Sequence, residues 1–173
     1  TGATGRIQEG INSVSGSTVL IGPGVYTENI AANVSDLVLQ GSGQAATTIR
    51  PALSGPNSCP GSLCPAGSSI IIVQANNVTI HDLTLDGDNP GLTSGIVRAG
   101  ADLDARNGII TDHTLGVWSN LEIYNVTVKN IYLRGIYASS GGSFNFHHNT
   151  VQNVQGDANS IGIFNFGGSG VFA

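Results

Sequence analysis

Three stretches carry one pattern: Asn77-Val-Thr-Ile-His-Asp-Leu-Thr-Leu85, Asn120-Leu-Glu-Ile-Tyr-Asn-Val-Thr-Val128 and Ser143-Phe-Asn-Phe-His-His-Asn-Thr-Val151. In each stretch apolar and polar residues alternate, a polar pair forms a corner, and the alternation then resumes. Because successive side chains of a strand point to opposite faces, this pattern predicts two short strands that meet at a bend. A pattern that returns along a chain indicates a structural unit that stacks on its own copies.

The spacing of the copies indicates which repeat architecture they build. From Val78 to Leu121 is 43 residues and from Leu121 to Phe144 is 23, which corresponds to two coils followed by one. Coils of this size without helix pairs predict an all-β fold, the right-handed parallel β-helix, with strands of successive coils about 4.8 Å apart. The predicted interior stacks are Val78, Leu121 and Phe144; Ile80, Ile123 and Phe146; and Leu85, Val128 and Val151.

Composition supports a coiled solenoid with many turns. The 25 glycines and numerous asparagines supply residues that tolerate a positive φ. Six asparagines lie at predicted strand boundaries, where amides on successive coils are expected to form hydrogen-bonded ladders: Asn77, Asn120, Asn125, Asn130, Asn149 and Asn153. Turn chemistry alone accounts for these asparagines, so the interpretation is structural.

Length and charge limit the classes of function. The 173 residues predict a single domain, 1–173, in which charged residues are 10% and the net charge is −5. A nucleic-acid partner is not expected, since no basic surface is available to replace counterions. The longest apolar run, Ile70-Ile-Ile-Val73, is far too short for a membrane span. An acidic polysaccharide remains a possible partner, because a few clustered arginines can bind carboxylates.

The first 30 residues predict a cap followed by a coil. Ile7, Ile11 and Val14 share one face at helical spacing, so residues 1–17 are expected to form a short N-terminal capping helix. Thr18 to Ile30 then reads as strand, Pro-Gly turn and strand, and strand pattern later resumes from Ile70, including Gly95-Ile-Val97. From Ile7 to Ile30 the chain resembles the opening of the pectate-lyase-like right-handed parallel β-helix superfamily. That resemblance implies a secreted protein directed at an extracellular polysaccharide, either an enzyme or a non-catalytic adhesin, fibre or scaffold module.

Two cysteines lie in a Pro/Gly/Ser-rich insertion, residues 51–69. Cys59 and Cys64 are close enough in sequence to pin a loop as a disulfide, which favours a secreted, cell-surface or periplasmic location. The alternative, a metal pair, lacks the further ligands of a zinc site. An insertion of this kind either forms the wall of a binding groove or only decorates the solenoid.

The two chain ends suggest a processed product. No methionine occurs in the chain, and Gly170-Val-Phe-Ala173 stops in the middle of the strand pattern without a polar cap. We therefore expect either a fragment of a longer solenoid or self-association at an uncapped end.

The superfamily resemblance implies candidate catalytic groups. Its polysaccharide lyases hold Ca²⁺ with carboxylates while a basic residue removes the proton next to a uronate carboxylate. Asp86 and Asp88 are the candidate metal ligands here, although Asp-Gly-Asp-Asn is also an ordinary turn sequence. Asp112 and His113 loosely resemble the strand-end Trp-Ile-Asp-His element of pectate lyases, with Ile110 where the tryptophan would stand.

Other residues qualify as a catalytic base or as substrate contacts. Arg134 is the candidate base, although an arginine pKa above 12 demands an unusual site. Arg98 and Arg106 can pair with uronates, and Trp118, Tyr132 and Tyr137 can stack on sugar rings; solvated arginines and packed aromatic rings are the alternatives. Pectin methylesterases have a similar Gly24-Val-Tyr-Thr-Glu28 opening, but their aspartate, glutamine and arginine motifs are not recognisable. The adjacent His147 and His148 point to opposite faces of a strand and cannot share a metal without a bend.

Overall fold

The computed structural model describes residues 6–173 and consists of one helix and fifteen strands in that range. Their bounds are α1 Ile7–Asn12, β1 Thr18–Leu20, β2 Gly24–Thr27, β3 Ile30–Ala32, β4 Val38–Gln40, β5 Thr47–Arg50, β6 Ser69–Val73, β7 Thr79–Asp86, β8 Val97–Arg98, β9 Ala101–Asp102, β10 Ala105–Thr111, β11 Leu121–Ser139, β12 Ser143–His147, β13 Thr150–Val154, β14 Ile161–Phe166 and β15 Ser169–Phe172. Within this part of the chain no helix is long and apolar enough to cross a membrane.

The strands stack in parallel into three faces of a solenoid. The first face runs through β1, β4, β7, β11, β12 and β15. The second face contains β2, β5, β7, β11 and β13. The third face contains β3, β6, β10, β11 and β14. The long strands β7 and β11 turn corners, which is why they belong to more than one face, and the predicted parallel β-helix is confirmed.

The corners are built by residues with a positive φ. Asp82, Asn125 and His148 have φ of 58°, 50° and 55° and form the corner between the first and second faces. Asn130 and Asn153 have φ of 58° and 52° and form the corner between the second and third faces. Asparagine and aspartate reach this left-handed region at lower cost than other non-glycine residues, so their positions in the sequence determine where each coil bends.

The core has the predicted register. On the first face Ile80 pairs with Ile123, Ile123 pairs with Phe146, and Phe146 pairs in turn with Phe172. On the second face Leu85 pairs with Val128, which pairs with Val151. The core residues Ile80, Ile123 and Val128 are inaccessible to solvent, so the interior stacks form one continuous core.

The N-terminal helix closes one end of this core. Ile7 and Ile11 are buried against it, and the buried carboxylate of Glu28 accepts hydrogen bonds from the backbone N–H groups of Ile7 at 2.9 Å and Gln8 at 3.0 Å. The predicted cap was residues 1–17, of which the first five lie outside the described residues. Glu28 thus joins the first coil to the cap.

Two long excursions leave the corner between the second and third faces. Residues 51–68 follow β5, and residues 87–104, which contain the antiparallel β8–β9 pair, follow β7. They contact each other, since Gly55 N–H donates to the Asp104 carbonyl at 3.2 Å and the Asn89 side chain donates to the Pro51 carbonyl at 2.8 Å. The first excursion occupies residues 51–68 of the 51–69 insertion expected from the sequence, and Ser69 already belongs to β6. Gly95-Ile-Val97 belongs to the second excursion and not to a coil.

Replacing Phe146 by alanine is expected to lower the free energy of unfolding by about 3 to 5 kcal/mol, because the ring is 2% exposed and packs against Phe144 and Phe172. Chemical denaturation measures the change. Leu53→Ala, at a side chain 68% exposed, is the control and should change stability by less than about 0.5 kcal/mol. Equal effects of the two substitutions would contradict the assigned core.

Candidate functional site

Asp86, one of the two predicted metal ligands, lies at the end of β7 between two cations. Its Oδ2 is 3.3 Å from Lys129 Nζ and 3.7 Å from Arg50 Nη2, while its Oδ1 accepts a hydrogen bond from Asn130 at 2.7 Å. Both carboxylate oxygens are therefore occupied by protein groups. This arrangement balances the charge of a buried carboxylate without a metal ion.

Asp88, the second predicted ligand, lies beside other carboxylates. Its backbone N–H donates to Asp86 Oδ1 at 3.2 Å. Burial raises the pKa of Asp88, and the negative charges of Asp86 and Asp104 raise it further. Burial also raises the pKa of Asp104, whose side chain is inaccessible to solvent. Across residues 6–173 no three His, Cys, Asp or Glu side chains are grouped in a way that could hold a metal ion.

Asp112, His113 and Trp118 share the turn that follows β10. Burial favours the neutral acid, but hydrogen bonds from Thr114 at 2.6 Å and Gln74 at 2.8 Å outweigh it and lower the pKa of Asp112. The Trp118 indole N–H donates to the Asp112 carbonyl at 2.8 Å. Asp112 thus stabilises a turn through bonds to both its side chain and its backbone.

Arg134 lies far from this turn. It pairs with Asn107 near the start of the third face, five residues before Asp112. At about 3.3 Å per residue the separation is roughly 16 Å. The Arg134 guanidinium donates to the Asn159 carbonyl and lies 5.6 Å from the Tyr137 ring centroid. The three predicted catalytic residues are therefore not brought together at one point.

The other predicted arginines differ in exposure. Arg106 is 2% exposed, its guanidinium donates to the carbonyls of Pro56 at 2.6 Å and Gly61 at 3.0 Å, and it lies 5.9 Å from the Tyr132 ring. It therefore anchors the insertion to the coil. Arg98 is exposed in the second excursion and donates to its neighbouring Val97 carbonyl at 2.9 Å.

The insertion contains the predicted disulfide and forms one side of a cleft. Cys59 and Cys64 are bonded to each other, which confirms the disulfide prediction. The insertion and the Asp112 turn enclose about 330 Å³ above Ile72 on the outer side of the third face. The residues that line this cleft are Leu63, Cys64, Pro65, Gly67, Ile72, Asp112 and Thr114.

A second site, on the outer side of the first face, was not predicted. His81 and Tyr124 stack with ring centroids 4.5 Å apart and planes 10° from parallel, and Tyr124 stacks on His147 at 5.0 Å and 3°. We call this set the ring column. Carboxylates accompany both ends, with Asp82 Oδ2 2.8 Å from His81 Nδ1 and Glu122 Oε1 3.6 Å from His147 Nε2.

A polar groove of about 420 Å³ runs beside the ring column. Its lining is Asn77, Thr79, Asn120, Leu121, Glu122, Ser143, Phe144 and Asn145. One edge is a ladder in which Asn120 donates to Asn77 at 2.8 Å and Ser143 donates to Asn120 at 2.8 Å. Since each rung belongs to a different coil, the groove repeats similar polar groups along the solenoid axis.

The signal for this site was already present in the three repeats. His81, Tyr124 and His147 occupy the fifth position of the three quoted stretches, and Thr79, Glu122 and Asn145 occupy the third. Equivalent positions of a stacked repeat become neighbours in space. The equivalent outward positions of the three copies therefore predict both rows.

Replacing Asp88 by asparagine is expected to stabilise the protein at pH 7. The pKa of Asp88 is higher in the folded chain than its unfolded value of about 3.9, so ionisation weakens folding as pH rises between these two values. Asparagine cannot ionise, and its advantage should disappear below about pH 3.9, where both forms are protonated. Unfolding midpoints across pH 3 to 7 check this, and a variant less stable than the parent at pH 7 would contradict it.

Comparisons with known proteins agree with the fold. No protein-family model and no curated protein matches the sequence. Among solved structures the chain is similar to the pectin methylesterase PemA from Erwinia chrysanthemi, with a TM-score of 0.59 and 19% identity over 96% of this chain and 48% of that one. A pectin methylesterase in complex with a hexasaccharide matches with a TM-score of 0.51 and 16% identity over 83% of this chain and 49% of that one.

The chain thus spans about half the length of these enzymes. At this level of identity the likeness concerns the fold. Both the stacked coils and these structural neighbours agree with the resemblance carried by Ile7 to Ile30. The chain therefore has a right-handed parallel β-helix fold, which it shares with these pectin methylesterases.

Proposed function

We propose that this chain binds an extracellular polysaccharide in the polar groove of the first face. The observation that carries the proposal is the repetition of hydrogen-bonding side chains along the solenoid axis. Thr79, Glu122 and Asn145 lie in one row, with pairing partners on successive coils. A row with a period of about 4.8 Å offers similar donors and acceptors to successive residues of a polymer.

The volume and chemistry of the groove fit this role. At about 420 Å³ the groove lies within the range of about 300 to 1,000 Å³ that is usual for ligand sites. Amide, hydroxyl and carboxylate groups line it, and these groups hydrogen-bond to sugar hydroxyls.

Two further observations support a polysaccharide and a secreted protein. The structural neighbours are pectin methylesterases, one of them in complex with a hexasaccharide. The Cys59–Cys64 disulfide is typical of oxidising compartments, which supports a secreted, cell-surface or periplasmic location. Binding alone fits an adhesin, a fibre or the scaffold part of a longer enzyme.

Calcium-dependent elimination is a second candidate that stays a prediction. The arrangement of Asp86 does not fit a calcium ligand, because Lys129, Arg50 and Asn130 already occupy its oxygens. Asp88 favours the candidate to the extent that a cation beside it would offset the burial, and the repulsion from Asp86 and Asp104, that raise its pKa.

The binding proposal is tested with a panel of neutral and uronate polysaccharides measured by calorimetry and affinity electrophoresis. We expect the double variant Thr79→Ala, Asn145→Ala to bind at least about tenfold more weakly, since two hydrogen bonds are worth about 1 kcal/mol each. Thr150→Ala, exposed on the second face, is the matched control and should bind like the parent. Binding to no member of the panel, or equal binding by all three proteins, would refute the proposal that the groove binds a polysaccharide.

The elimination candidate predicts ultraviolet absorbance from an unsaturated product that rises with calcium and disappears with a chelator. Asp88→Asn should abolish this activity while leaving polysaccharide binding intact. The same incubation, read for new reducing ends, detects hydrolysis. A stably folded chain that yields no unsaturated product from any uronate polymer would exclude calcium-dependent elimination.

A further inference from the structure

His147 and His148 converge at a corner of the solenoid. His147 ends β12, and His148 has a φ of 55°, in the left-handed region. Adjacent side chains on a straight strand point to opposite faces, but the left-handed backbone removes that alternation. The Nδ1 atoms of the two imidazoles consequently lie 2.8 Å apart.

We propose that these two Nδ1 atoms form a binding site for a divalent transition-metal ion, with Cu²⁺ preferred over Ni²⁺ and Zn²⁺. Imidazole nitrogens bind such ions at about 2.0 to 2.1 Å, so two donors at a right angle lie about 2.9 Å apart and two tetrahedral donors about 3.4 Å apart. The observed 2.8 Å matches neighbouring positions of the tetragonal geometry that Cu²⁺ and Ni²⁺ adopt.

Glu122 lies beside the His147 ring, and we infer that its charge influences which ring nitrogen carries the proton. Its carboxylate is 3.6 Å from His147 Nε2, on the side of the ring opposite the shared contact. A carboxylate that faces one ring nitrogen favours the proton there and leaves the other nitrogen as a lone-pair donor, the usual arrangement around metal-bound histidines. The Tyr124 ring stacks 3° from parallel on His147 and so helps to keep the His147 ring in this orientation.

The site is open to solvent and has only two protein ligands. His148 is exposed, and its ring lies edge-on to His147 at 88°. In the described part of the chain no third His, Cys, Asp or Glu joins them in a potential metal site. The remaining positions are left to water or to an external ligand. Hard oxygen-seeking ions such as Ca²⁺ and Mg²⁺ are not expected to bind to this pair.

The experiment titrates the untagged chain with Cu²⁺, Ni²⁺ and Zn²⁺ alone, by calorimetry and, for Cu²⁺, by electron paramagnetic resonance. We expect one Cu²⁺ per chain, with hyperfine structure from two imidazole nitrogens. His148→Asn is the informative variant, because Asn125 occupies the same corner one coil earlier with a φ of 50°. It should keep the parent unfolding midpoint and weaken Cu²⁺ binding by at least about tenfold.

Two further variants separate this site from nonspecific binding. Glu122→Gln should weaken Cu²⁺ binding by about tenfold or more, as loss of a positioning carboxylate does. His113→Gln, on the third-face turn, should leave it unchanged. Unchanged Cu²⁺ affinity in His148→Asn, or a parent spectrum without two imidazole nitrogens, would overturn the proposal and leave the contact as a hydrogen bond between two histidines. Neither outcome depends on polysaccharide binding in the groove.

Discussion

The structure depends on a backbone constraint at its corners. A coil closes only if the chain turns sharply between faces, and it does so here through residues in the left-handed region. Asparagine and aspartate accept that conformation and also carry side chains that reach the next coil. At the corner between the second and third faces, Asn153 donates to Asn130 at 2.7 Å and Asn130 donates to Asp86 at 2.7 Å. At this corner the asparagines therefore both bend the coil and tie it to its neighbour.

The fixed corners keep the strands of successive coils in register. Because each coil bends at an equivalent residue, inward positions align into the core and outward positions align into rows. The ring column is one such row, and Thr79, Glu122 and Asn145 in the groove form another; one inward residue of each strand separates the two rows. The excursions 51–68 and 87–104 leave from one corner, so they lengthen two coils without disturbing the alignment on either side. The outward residues can therefore differ from one face to the next while the inward residues keep the same core packing.

The sequence predicts the features that repetition determines and misses those that depend on the excursions. The fold, the stacks from Ile80 and Leu85, the capping helix and the disulfide were predicted because repetition or proximity in sequence determines them. The partners of Arg106 and the contact between Arg50 and Asp86 were not, since they lie at separations that no repeat specifies. Lys129, by contrast, lies 43 residues after Asp86, at the spacing of the repeat, so this partner could have been predicted from the copies. The separation of Arg134 from Asp112 does not follow from residue type, because it depends on where along the third face each residue lies. The ring column was recoverable, because its members occupy equivalent repeat positions.

The corner at His148 differs from the equivalent corners of the two preceding coils. In the two preceding coils the same position holds Asp82 and Asn125, and Asn125 donates to Asp82 at 3.3 Å. Asparagine at position 148 would continue that ladder, whereas the histidine makes its side-chain hydrogen bond with His147. Left-handed backbone costs histidine more than it costs glycine, and the ladder contact is given up as well. His148 thus satisfies the corner less well than its counterparts in the two preceding coils, yet it points an imidazole nitrogen at a second one. At this position of the first face a structural explanation is weakest and a ligand-binding explanation is strongest.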